Sequence, residues 1–338
     1  MKIDKLRWGI ISAGRISNDF CIGLRSDPDK GHQIIAVAAR DKKKAKEFAE
    51  KHEIQESYDN YEALANHPNI EVYYVGTINN AHHEVVMMLL NLGKNVLCEK
   101  PLGMNVKETQ DMIAAAQKNK VFFMEGMWAR FFPVQVKLRE ELKKKTLGDV
   151  KLVTVTIGKA VDKDKMQRIL KPELGGGCML DMGVYTIAIS QMVFGEMPKN
   201  VTAVGYLNEY GVDVFDSVTM QYSGERIATF QVTCMNEVPN EAIICGTKGT
   251  IKIHRPFWCS NSMEILDKKH EFPFPKSVAK SYYDNGVGFL YEANEVKNCI
   301  RKGLKECPIV THEDTLIFAT LIEKCRKIIG VKYNQDQQ

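Results

Sequence analysis

Short apolar runs alternate with breaker-free, helix-patterned stretches from Leu6 to Met124, and this alternation constrains the fold more than any other feature of the chain. Leu6–Ile11, Ile34–Ala39, Val72–Gly76, Asn95–Cys98 and Val121–Met124 read as buried strands. Between them, Ile16–Ser26, Lys42–His52, Ala81–Leu92 and Val106–Asn119 read as helices, the third of these closing on Gly93 as a C-cap. Strands separated by helices build βαβ units, so the sheet is expected to be parallel with right-handed crossovers.

From about Lys151 the pattern changes. Lys151–Lys159, Asn200–Gly205, Asp216–Tyr222, Arg226–Cys234, Glu241–Cys245 and Thr250–His254 are β-rich, and several are joined by short turns such as Tyr222-Ser223-Gly224-Glu225. Consecutive strands with short links pair antiparallel. Gly183–Phe194 interrupts them as a helix, and Gly288–Lys302 and His312–Ile329 return to helix. A chain of 338 residues is comfortable for two domains of roughly 100–200 residues each. The expected division is 1–126 for the first, 127–333 for an α+β domain with a large, mainly antiparallel, open-faced sheet, and 334–338 for a loose tail.

Charge and cysteine usage exclude several classes of function. With 46 basic and 42 acidic residues the net charge is +4, too mild for a nucleic-acid partner, and the Lys42–Lys44 and Lys143–Lys145 clusters read as solvated helix faces. The apolar runs Val85–Leu90 and Ile317–Ile322 fall well short of the ~20 residues that cross a bilayer. Met1–Arg7 leads into a strand pattern instead of the apolar core of a signal peptide. Nine scattered cysteines without a C-x-x-C pair fit reduced thiols, and the eight histidines lack ligand spacing. The expectation is a soluble cytoplasmic protein with no metal, no membrane and no nucleic-acid partner.

Candidate chemistry begins where the first strand meets the first helix. Ser12-Ala13-Gly14-Arg15-Ile16-Ser17 occupies the place of the dinucleotide fingerprint Gly-x-Gly-x-x-Gly, keeping only the middle glycine, the one that lets backbone approach a pyrophosphate. The alternative is an ordinary strand-to-helix turn. Its place in the first βαβ unit favours a Rossmann domain with phosphates at the helix N-terminus. At the end of the second strand stands Arg40, suited to the 2′-phosphate of NADP, although a one-residue shift would put Asp41 at the ribose of NAD. Lys100, in Cys98-Glu99-Lys100-Pro101, emerges at the carboxyl edge of the sheet, where ligands bind. In the second domain, Gly175-Gly176-Gly177-Cys178-Met179-Leu180-Asp181-Met182-Gly183-Val184-Tyr185 joins a tight glycine turn to a helix. Asp181 and Tyr185, four apart, share a helix face. Tyr185 beside an ammonium group is a credible general acid/base. The plainer reading is an N-cap aspartate and a half-buried tyrosine.

Glu99-Lys100-Pro101 together with Gly175–Tyr185 resembles the glucose–fructose oxidoreductase/inositol dehydrogenase family. Leu6–Ser12, Ala36–Asp41, Val96–Pro101, Trp128–Pro133, Ser190–Gly195 and Tyr283–Gly286 extend the likeness over nearly the whole length. The resemblance points to a dimeric branch in which serine at the first fingerprint position is usual. It implies an NADP-dependent dehydrogenase that oxidises trans-dihydrodiols to catechols, aldose sugars such as D-xylose, or both. It further implies Tyr185 as general acid/base, Lys100 assisting and Asp181 positioning substrate hydroxyls, in a site between the domains. Cofactor contacts would come from Ser12, Ala13, Gly14, Arg15, Ile16, Arg40, Thr77, His82, Glu99, Lys100 and Pro101, with Lys100-Pro101 cis. Trp128, Trp258 and Tyr283 would line the substrate pocket; read by themselves, such aromatics are core. Two alternatives remain: a sugar-specific oxidoreductase acting on keto-sugars or dicarbonyls, and a non-catalytic NADP-sensing protein. The implied assembly is a homodimer formed through the open sheet.

Overall fold

The computed structural model describes residues 4–162 and 167–337. The first sheet holds β1 (Leu6–Ile11), β2 (His32–Ala38), β3 (Glu56–Tyr58), β4 (Val72–Val75), β5 (Val96–Glu99) and β6 (Phe123–Gly126). All its pairs are parallel, in the order β3-β2-β1-β4-β5-β6. That is the doubly wound dinucleotide-binding order, whose ligand crevice opens where the chain reverses direction, beside β1 and β4. The connecting helices are α1 (Arg15–Arg25), α2 (Lys42–His52), α3 (Tyr61–Ala65), α4 (His82–Asn91) and α5 (Val106–Asn119). The inner strands are mostly apolar because helices cover both faces, and Trp8, Ile10, Tyr73, Tyr74 and Leu97 are fully buried.

The second sheet is eight-stranded: β7 (Val150–Gly158), β8 (Asn200–Leu207), β9 (Asp213–Tyr222), β10 (Arg226–Thr233), β11 (Ala242–Gly246), β12 (Gly249–Ile253), β13 (Ser262–Ile265) and β14 (Lys268–Glu271). Its order is β14-β13-β12-β11-β7-β10-β9-β8, antiparallel except for the β7–β10 pair. Alternation along these strands is clean. Val153, Val155, Phe230, Val232, Val218 and Met220 are buried on one face. Across the other, Leu152 aligns with Ile227, Thr154 with Thr229, and Ser217 with Val204, all at least partly exposed. The face is therefore open, as expected.

Helices α6 (Pro133–Lys143), α7 (Gln167–Leu170) and α8 (Val184–Phe194) precede β8, and α9 (Phe289–Arg301) and α10 (His312–Ile329) close the chain. The stretch Pro172–Phe194 is long and apolar enough to cross a membrane by composition, which the short runs in the sequence did not suggest; 72% of its most apolar window is buried inside the protein. Its hydroxyls are satisfied locally, Thr186 donating to the Gly183 carbonyl (2.7 Å) and Ser190 to that of Thr186 (2.8 Å).

The chain divides into two compact units whose boundaries differ from the expected ones. The first comprises Met1–Gly103, Lys107–Phe131 and Phe274–His312; the second comprises Met104–Val106, Phe132–Pro273 and Glu313–Gln338. Phe274–His312 joins the first unit because α9 docks on α1. Gly23 has room for no side chain there, since a Cβ would lie 3.0 Å from the Phe289 Cβ and 3.2 Å from the Leu290 nitrogen. Phe289 packs edge-on against Phe20, which in turn stacks on Tyr74. Buried Asp19 accepts the backbone N–H groups of Tyr282 (2.9 Å) and Tyr283 (2.7 Å), fastening the segment before α9. The expected loose tail is also pinned. Asn334–Gln337 forms a 3-10 turn, and Asp336 pairs with the fully buried Arg326; Gln338 lies outside the described residues.

Candidate active site

The turn after β1 keeps the geometry of a dinucleotide loop with a redistributed set of small residues. Ser12 adopts φ +88°, the left-handed region in which the fingerprint places its first glycine, and its N–H donates to the Ala38 carbonyl at 2.8 Å. Ser17 replaces the third glycine and is buried, yet α1 still approaches the sheet closely because Gly76 gives way. A Cβ at Gly76 would sit 2.4 Å from the Ser17 Oγ. The small residue has moved from helix to strand end.

Gly14 is different. Its φ of −84° suits any residue, and a Cβ there would meet nothing nearer than the Ser12 Oγ at 3.4 Å, an ordinary contact. Nothing inside the protein demands glycine at 14, and no side chain caps the N-terminus of α1 that it begins. A bare helix end with room for close backbone approach is what a pyrophosphate fits. Arg15 lies in the first turn, its guanidinium 5.6 Å from the centre of the Tyr282 ring.

The competing acid at the end of β2 is committed elsewhere. The Asp41 carboxylate caps α2, accepting the N–H groups of Lys43 (2.9 Å) and Lys44 (3.1 Å). Arg40 is exposed, and its charge reaches the nearby Tyr61 hydroxyl. Burial raises the Tyr61 pKa and the guanidinium opposes the rise. Guanidinium and phenol together form a donor group facing solvent at the strand end, with Lys42, Lys43 and Lys44 exposed beside it.

Lys100 follows β5 and is half-buried, and Lys100-Pro101 is a cis peptide. Two buried groups support this turn. The His82 ring places Nδ1 3.0 Å from the Pro101 carbonyl and Nε2 3.2 Å from that of Thr77, and burial lowers its pKa to about 4. The neutral imidazole donates its one N–H to only one of these carbonyls and packs against the other, filling the space between the β4 and β5 exits from inside the unit. The Glu99 carboxylate likewise points inward, accepting the buried Tyr74 hydroxyl at 2.7 Å.

In the second unit Gly177 (φ +119°) leads into Met179–Gly183, a single π turn, before α8 begins at Val184. The expected regular helical face joining Asp181 to Tyr185 is therefore corrected: the wider turn changes their relative direction, as π turns at functional sites commonly do. Asp181 pairs with Arg168 of α7 at 2.9 Å. Tyr185 is largely buried, and its ring stacks beside Trp258, centroids 6.1 Å apart at 23°. Trp258 is held edge-on to buried Phe257. Trp128 belongs to the first unit, only 4% exposed with one face stacked on Phe289 at 4.2 Å. Tyr283 is in the same unit and is partly exposed.

Arg168, Tyr61 and Asp19 escaped the sequence reading. Each acts on a residue far along the chain through a turn or helix contact, and no motif surrounds them. Gly76 carried a signal, a glycine directly after a buried strand, whose meaning needed the position of Ser17.

An α/β unit in the dinucleotide-binding strand order with a bare helix end after β1, and an open-sheet unit with Tyr185 in the first turn of α8 just past a π turn, fit an oxidoreductase. Residues 6–127 match the family model described as the oxidoreductase family with an NAD-binding Rossmann fold, and residues 136–252 match the GFO/IDH/MocA C-terminal domain. The chain belongs to the GFO/IDH/MocA oxidoreductase family. It is 46% identical over 328 residues to the trans-1,2-dihydrobenzene-1,2-diol dehydrogenase of Xenopus tropicalis, covering 97% of this chain and 99% of that one. The Homo sapiens protein of the same name is 41% identical over 334 residues, covering 98% and 99%. Among solved structures, a 3-ketoreductase from Actinomadura kijaniata with NADP and TDP-benzene shares the fold (TM-score 0.81, 21% identity, covering 96% and 98%). So does a levoglucosan dehydrogenase with NADH and levoglucosan (TM-score 0.84, 17% identity, covering 96% and 97%).

Proposed function

We propose that this protein is a cytoplasmic, NADP-dependent dehydrogenase that oxidises trans-dihydrodiols to catechols, with aldose sugars such as D-xylose as further substrates. The observation that carries the reading is Tyr185, a largely buried phenol beside an aromatic face in a chain with full-length likeness to dihydrodiol dehydrogenases. NADP, when bound, supplies the nicotinamide carbon that takes up hydride. Gly14 and the N-terminus of α1 receive the pyrophosphate, and Arg40 with Tyr61 receives the 2′-phosphate.

Tyr185 accepts the proton of the substrate hydroxyl at its Oη as the carbon–hydrogen bond breaks. Asp181, held by Arg168, orients the neighbouring hydroxyl, and Lys100 supplies a cation to the reaction. Trp258 offers a flat apolar surface that suits a cyclohexadiene ring. The ketone product of a dihydrodiol tautomerises to the catechol without further help.

Two features extend the reading. All nine cysteines are free, which suits a reducing compartment. The open sheet face carries Val204 (71% exposed) and Tyr206 (70%), an apolar surface suited to a second copy of this chain. Initial rates of NADP⁺ and NAD⁺ reduction by dihydrodiols, pentoses and hexoses, and of NADPH and NADH oxidation by dicarbonyls and keto-sugars, test the proposal. The expected result is fastest turnover of a trans-dihydrodiol with NADP⁺. A preference for NAD⁺, or turnover of dicarbonyls or keto-sugars alone, would overturn it.

A further inference from the structure

Beneath the π turn, β9 carries two carboxyl groups into the core. Asp213 is 1% exposed and Asp216 is fully buried. Residues three apart on a regular strand face opposite ways, but here β9 pairs Tyr206 with Phe215 and Leu207 with Asp213, leaving Val214 as the extra residue of a bulge. The bulge turns both aspartates to the inner side. There the Cys178 Sγ and one oxygen of each carboxyl group lie within 4.8 Å of one another.

The glycine loop is moulded on this pair. Asp213 Oδ2 accepts the Met179 N–H at 2.5 Å, at the first residue of the π turn, and Asp216 Oδ2 accepts from Cys178 Sγ at 3.4 Å. A Cβ at Gly177 would fall 2.5 Å from Asp213 Oδ1 and 2.7 Å from the Tyr333 hydroxyl, which itself donates to the Gly176 carbonyl. A Cβ at Gly205 would fall 2.3 Å from Asp216 Oδ1. Among the described residues, Cys178, Cys234, Cys325 and Tyr333 are titratable groups near enough to feel the charge of the pair. The nearby cation, Arg326, is engaged by Asp336 and lies over the Tyr333 ring.

We propose that Asp213 and Asp216 form a carboxylate–carboxylic acid pair that acts as a positioning device, holding the π turn so that Asp181 and Tyr185 are presented in register for catalysis. Two buried carboxyl groups this close do not both ionise. Burial, and then the charge of Asp213, push Asp216 up to about 9. With Asp216 protonated, the pair brings no more than a single negative charge to the start of the π turn, where N–H groups point. When alkaline pH ionises Asp216 as well, a second charge forms beside the first and the loop loosens.

This inference rests on the reading of Tyr185 as the acid/base, so it is tested with one readout that needs no turnover. Hydrogen–deuterium exchange of the segment 175–186 is measured in wild type and Asp216→Asn at pH 8 and pH 10, corrected for intrinsic rate, beside kcat and coenzyme affinity. Wild type is expected to lose protection at the higher pH, while Asp216→Asn, which mimics the protonated partner, keeps it. Asp216→Asn keeps kcat within about threefold at neutral pH, whereas Asp213→Ala loses about tenfold or more in kcat with unchanged NADPH affinity, as misplacement of a catalytic group does. An exchange profile in Asp216→Asn that falls with pH as in wild type would overturn the proposal. So would a stoichiometric metal ion bound by Cys178 and the two aspartates. If the exchange result holds while Tyr185→Phe turns over normally, the pair stands and the acid/base reading fails.

Discussion

Replacing Arg40 with alanine separates the two coenzymes by a calculable amount. The Arg40 guanidinium is exposed at the end of β2 near the Tyr61 hydroxyl, while Asp41 is held at the N-terminus of α2. A hydrogen bond to a charged group contributes about 1.5–3 kcal/mol, and each 1.4 kcal/mol is about tenfold in Kd. Losing one guanidinium–phosphate bond therefore weakens NADPH roughly 10- to 150-fold. NADH has no 2′-phosphate and should change by less than about threefold. Asp41→Ala serves as the control. It removes two N–H···carboxylate bonds and costs the fold about 0.5–2 kcal/mol, leaving the coenzyme preference unchanged. Fluorescence titration of each variant with NADPH and NADH reads both effects. Equal weakening of the two coenzymes by Arg40→Ala, or a switch of preference in Asp41→Ala, would refute the reasoning.

Further outcomes follow from the same geometry. Gly14→Ala should unfold at the wild-type denaturant concentration, since its Cβ meets nothing nearer than 3.4 Å, yet lose NADPH binding in titration; retained binding would remove the pyrophosphate from this loop. His82 titrates at about 4 when folded, against about 6.5 unfolded, so the stability it contributes is complete above about pH 6.5 and is lost as pH falls toward 4. Urea unfolding of wild type against His82→Asn should show their difference shrinking by about 3 kcal/mol between pH 7 and pH 4. Tyr206→Glu on the open sheet should run as a monomer in sedimentation while wild type runs as a dimer; identical sedimentation would remove that face from the interface.

The sequence showed what periodicity and local chemistry encode. Leu6–Ile11, Lys42–His52 and Val106–Asn119 fell on their observed bounds because each is closed by a turn residue or cap and is apolar on the expected face. Glu56–Tyr58, three residues at a sheet edge, has no apolar signature, and Ser262–Ile265 and Lys268–Glu271 are short and largely polar. The return of Phe274–His312 to the first unit depends on Gly23 and Phe289, contacts distant in sequence. Of the candidate site residues, Gly14, Arg40 and Tyr185 were singled out by motif position. The π turn, the Arg168–Asp181 pair and the bulge at Val214 were not. Each depends on backbone geometry or a partner that only the folded chain brings near.

The central claim is that Tyr185 moves the proton of a reaction whose coenzyme is held elsewhere in the chain. Its most direct test is single-turnover NADP⁺ reduction by a trans-dihydrodiol in wild type and Tyr185→Phe, alongside NADPH affinity. Loss of a positioned acid/base is expected to slow the step by about 10²- to 10⁴-fold, with NADPH affinity unchanged. Undiminished reduction by the phenylalanine variant would contradict the account.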